Sequence, residues 1–169
     1  ADSEPLQTEK RREVVDPSQL GVIISGYHIP AASHEDMHAL QVLALILSGG
    51  ESSRLYEDVV RKQKLAVQAG GQLMAREHPG LFMVFGVFLD PAKGEALEKS
   101  LAANIARLRN SVPSRAELSK AKNQLTADFV FGMESITGIA SQIGNSWIES
   151  GDPKRFLDDL EAYKKVTAA

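Results

Sequence analysis

Apolar and polar positions along this chain follow two periods, and the changes between them mark the elements. Residues 20–29, LGVIISGYHI, are rich in β-branched side chains and run into Pro30, which predicts a strand. Beyond it Met37, Leu40, Ala44 and Leu47 recur at helical spacing, with Leu43 and Ile46 widening the stripe. Ser33 stands where an N-cap belongs, and Asp36 suits the positive end of the helix dipole. A helix is therefore expected from His34, with His34, Glu35 and Asp36 in its first turn. Gly49 and Gly50 end it, and Ser52 or Ser53 caps a second helix over residues 54–60.

Residues 65–74 read as a strand with a bend or bulge at Gly70 and Gly71. The turn His78, Pro79, Gly80 leads into residues 81–89, LFMVFGVFL, and the short connection makes the two a hairpin. Since nearly every position of 81–89 is apolar, a central strand covered on both faces is expected, with Met83, Phe85 and Phe88 in the core. A helix follows with Leu97, Leu101, Ile105 and Leu108 on one side, ending near Asn110 before Pro113. Ser114 to Glu117 form a capping box for the next, which runs through Leu118, Ala121, Leu125 and Phe129. Another covers 134–149, and Pro153 at the first helical position opens a last one.

A short strand at 11–15 and a linker-like stretch at 1–10 precede all of this. The order implies an α+β two-layer sandwich, a mostly antiparallel sheet with helices on one face. The chain is expected to be one domain over 1–169, cut at both ends.

Composition narrows the function. At 169 residues the chain can bury roughly two thirds of its unfolded surface. It has no cysteine, so disulfides, thiolate-held zinc and thiol chemistry are excluded. A net charge of -3, with both signs intermixed, suggests neither nucleic acid nor an anionic membrane as partner. No apolar run approaches the ~20 residues of a membrane span. The glycine pairs match no phosphate loop, since neither GKS nor GKT follows.

His34-Glu35-Asp36-Met37-His38 fits the HExxH pattern, in which two histidines on one helix face bind zinc and the glutamate polarises water. Glu57 is the nearest downstream third ligand. Against this, the pair falls on the first, solvated turn, and Glu57 would have to return across the Gly-Gly break. The bland reading, a packing helix whose buried face begins where the histidines end, competes with an independent zinc hydrolase using His34, His38 and Glu57. His28, ahead of Pro30, reads as a strand-end imidazole bonded to a neighbour.

Several segments together resemble the pitrilysin/insulinase family of zinc peptidases, which includes the mitochondrial processing peptidases. They are the helix ending in Ser48-Gly49-Gly50-Glu51-Ser52-Ser53-Arg54-Leu55-Tyr56, the continuation Val59 to Ala66, Pro79-Gly80-Leu81-Phe82, and Pro113 to Lys122. The resemblance implies two homologous halves closing around a peptide substrate, with zinc on an HxxEH motif in the N-terminal half. This chain has no HxxEH. It resembles the other half, or an inactive partner subunit, with no catalytic residue and no metal of its own.

The implied partners are a homologous N-terminal half or subunit, in a dimer, and a peptide substrate; the implied compartment is bacterial periplasm or cytoplasm. The resemblance places the family's substrate-binding arginine at Arg61, while its tyrosine position holds Val67, which donates no hydrogen bond. A purely structural module and a generic α+β binding domain stay open beside these readings.

Overall fold

The computed structural model describes residues 20–168. The expected strand at 11–15 lies outside them. Three antiparallel strands, β1 (Gly21–Ile29), β2 (Gln68–Met74) and β3 (Gly80–Phe88), form a sheet in the order β1-β3-β2. Helices α1 (Met37–Ser48), α2 (Gly94–Asn110), α3 (Arg115–Gly132), α4 (Ile136–Ser150) and α5 (Asp159–Lys165) complete the α+β fold, with a π-helix at Tyr56–Lys62.

One face of the sheet carries the main core. Leu47 from α1, Leu55 just ahead of the π-helix, Val59 within it, and Leu97 and Leu101 from α2 meet Val84 of β3, with Ile23, Tyr27, Phe82 and Phe88 packed around them. Gly86 is what lets α2 approach, because a Cβ there would stand 3.0 Å from the Leu97 side chain. A second cluster, Val42, Ile46, Ala121 and Tyr163, joins α1 to α3 and α5. Each fully buried leucine among these contributes about 1.5–3 kcal/mol relative to exposure.

The structure departs from the expected elements in several places. α1 begins at Met37, not His34, and no side chain caps it. The preceding turn closes on backbone bonds instead, His34 N–H to the Ala31 carbonyl and Met37 N–H to that of His34. The second helix winds as a π-helix, closing with Gln63 N–H on the Asp58 carbonyl, and leaves through Lys64 at φ 53°.

Gly70 and Gly71 make no bulge; they stay in register opposite Phe85 and Val84. They provide room, since a Cβ on Gly71 would lie 3.0 Å from the Ser48 hydroxyl and 3.1 Å from the Met83 carbonyl oxygen. Finally, Pro153 opens a turn and a short 3-10 segment (Arg155–Asp158) before α5 starts at Asp159.

Candidate functional site

His34, His38 and Glu57 are not gathered into a site. His34 is in the turn ahead of α1, where its Nδ1 accepts the Asp36 backbone N–H at 3.2 Å. His38, one residue into α1, places Nε2 2.9 Å from Asp159 Oδ1 on α5 and meets the Tyr163 ring edge-on, centroids 5.3 Å apart. Glu57 holds Arg61. Starting the helix at Met37 takes His34 off the helical face on which His38 stands, so HExxH spacing is not realised as geometry. Among the described residues no group of three or more His, Asp or Glu side chains is placed to hold a metal ion, and these donors do not fit zinc.

Arg61 stands on the outer side of the π-helix with its side chain 53% exposed. Nη1 donates to Glu57 at 2.7 Å, Nη2 to Glu51 at 3.3 Å, and the guanidinium lies over the Tyr56 ring at 5.6 Å. Two carboxylates and an aromatic face orient it without burying it. Such exposed pairs contribute little to stability, so the arrangement holds a cation at the surface more than it holds the fold. Val67 follows just before β2 and is exposed.

The Gly49 to Leu55 turn is built to fix α1 against α3. Gly50 takes φ 82°, which a side chain would resist. Leu55 drops fully into the core, and Arg54 reaches α3, Nε and Nη2 donating to Glu117 Oε1 and Oε2 at 2.6 and 3.0 Å. Glu117 also accepts the Ser114 N–H in the capping box. The hydrogen bond from Arg54 leads in holding this carboxyl well below the usual range, at about 2; burial opposes it and Ser114 adds to it.

Asp58, in the π-helix that follows, is buried in a way that would raise it, yet hydrogen bonds from Asn104, Gln63 and Arg107 leave it lowered. These are anchoring contacts, and the sequence stretch with the sharpest signature carries them.

The pattern did not show the other face of the sheet. It reads across the strands as rows: Val22, Val87, Gln68; then Ile24, Phe85, Gly70; then Gly26, Met83, Gln72; then His28, Leu81, Met74. No described element covers it, and Val22 and Ile24 are 54% and 64% exposed. β3 is central, as expected, but covered on one face only, which moves Met83 and Phe85 from the core to this surface. The Phe85 ring lies over Gly70, where a Cβ would stand 2.9 Å from it. No signal in the strands singles this face out, since apolar residues in both alternating sets of 20–29 suit a strand covered on both faces equally well.

The sequence profile described as peptidase M16 inactive domain matches residues 1–125. A zinc protease of Helicobacter pylori, PqqE, is 32% identical over 173 residues, covering 98% of this chain. The chain spans 39% of the length of that relative. The crystal structure of a protease from Helicobacter pylori superposes with a TM-score of 0.84 at 28% identity, over 91% of this chain and 37% of that one. A peptidase M16 inactive domain from Pseudomonas fluorescens superposes at 0.81 over 90% of this chain and 36% of its own, at 20% identity, a likeness of fold alone.

Proposed function

Given that the chain belongs to the peptidase M16 inactive-domain family, we propose that it serves as the non-catalytic half of a two-part zinc endopeptidase, whose uncovered sheet face forms the wall toward the substrate and the zinc-bearing half. The observation that carries this reading is the apolar face itself. Val22 and Ile24 are exposed, and Met83, Phe85 and Val87 stand half-buried beside them in register. Contiguous apolar surface of that kind marks an interaction site in a folded protein.

Arg61, preset by Glu51 and Glu57 and unburied, is the cation this half offers to a peptide carbonyl or carboxylate. With Val67 where the family's hydrogen-bonding tyrosine stands, its share of the chemistry is electrostatic and positional.

The test is a peptidase assay of the purified chain, alone and mixed with an HxxEH-bearing homologous half. The chain alone gives no chelator-sensitive cleavage, the mixture cleaves, and Ile24→Asp or Arg61→Ala lowers the rate of the mixture while the chain stays folded. Robust chelator-sensitive cleavage by the chain alone would overturn the reading.

A further inference from the structure

Away from the sheet, α1, α3, α4 and α5 converge on an open cavity of about 300 Å³. Its walls divide by chemistry. Phe129, Phe156 and Tyr163 give aromatic surface, the two phenylalanine rings 6.2 Å apart. Asp128, Glu149 and Asp159 bring one carboxylate each from α3, α4 and α5. Among the described residues Arg155 is the lining's one permanent cation.

Two of the carboxylates are engaged, Asp159 by His38 and Asp128 by Gln124. Glu149 is different, having no hydrogen-bond or ion-pair partner among the described residues. Burial first, then the charge of Asp159, pushes its carboxyl up, with Arg155 opposing.

We propose that this cavity binds an alkylguanidinium or alkylammonium group, its cation between Glu149 and Asp159 and its apolar stem against Phe129 and Phe156. Three carboxylates against one arginine disfavour an anion, while a cation relieves the repulsion between Glu149 and Asp159 and makes charge-assisted hydrogen bonds to both. Neighbouring aromatic faces favour the same sign of charge. A volume near the lower end for small-molecule sites suits a single head group on a short stem. A free amine and a basic side chain of another polypeptide share this chemistry.

Calorimetric titration of the purified chain with agmatine, and separately with a short peptide carrying one internal arginine, tests it. Saturable binding of agmatine alone assigns the site to a free amine; binding of both assigns it to a basic side chain. In either case Glu149→Gln weakens binding by about tenfold or more. Asp159→Asn, on a different helix, is read in parallel, so that loss of fold in one variant leaves the other to decide. No saturable binding of either probe, or equal affinity in the folded variants, overturns the proposal.

Discussion

Replacing Glu117 with glutamine isolates the charge in the contact that ties the Gly49 to Leu55 turn to α3. Glutamine at this position still completes a capping box and keeps the side-chain volume, so what is lost is the ion pair with Arg54 at 2.6 and 3.0 Å. A carboxyl lowered from 4.5 to about 2 corresponds to about 3 kcal/mol at full weight. The Glu117 side chain is 33% exposed, so solvent screening reduces this, and ~1–2 kcal/mol is expected.

The sign follows from the direction. A carboxyl depressed in the folded state contributes stability that is present above its unfolded value and lost as pH falls through the folded one. Urea unfolding of the wild type and Glu117→Gln should therefore differ by about 1–2 kcal/mol at pH 7. The gap should close between 4.5 and about 2, the unfolded and folded values. A gap that stays constant across that window, or one below about 0.3 kcal/mol at neutral pH, would refute the reasoning.

Lys64→Gly should stabilise the chain by about 0.5–1 kcal/mol in urea unfolding, because φ 53° costs a lysine what it does not cost glycine. Leu97→Ala, deleting a fully buried side chain against Gly86, should cost about 2–4 kcal/mol in the same assay, whereas Ile24→Ser on the uncovered face should change stability by less than about 0.5 kcal/mol. Gly71→Ala should cost about 1–3 kcal/mol, since its Cβ would press on Ser48 and the Met83 carbonyl. After dialysis against zinc-containing buffer, elemental analysis should find no stoichiometric metal on the chain, and His34→Ala should not alter the result.

Local rules made the elements legible. The capping box at Ser114 and Glu117, the run of β-branched residues into Pro30 and the hairpin at 68–88 each announce themselves through chemistry confined to a few neighbours. What the pattern could not settle was tertiary. Whether 81–89 is covered on one face or two depends on which elements come back over it, and nothing within those nine residues decides that.

The HEDMH match had the same weakness. It specifies spacing along a helix but not where the helix starts, and backbone bonds from Ala31 to Met37 determine that. The helix-lined cavity was invisible for a further reason. Asp128, Glu149 and Asp159 come from three helices, and no sequence interval relates them.

The winding of Tyr56–Lys62 bears on how this chain can change length. Its hydrogen bonds span five residues where an α-helix spans four, so each ring holds one residue more than the tighter coil needs. Deleting Lys62 could be absorbed by rewinding into α-helix with Leu55 and Val59 still seated, whereas a deletion in β3 would turn every following side chain to the opposite face. The segment is a stock of slack, and single-residue losses accumulated over evolution should collect there before they appear in the strands it connects.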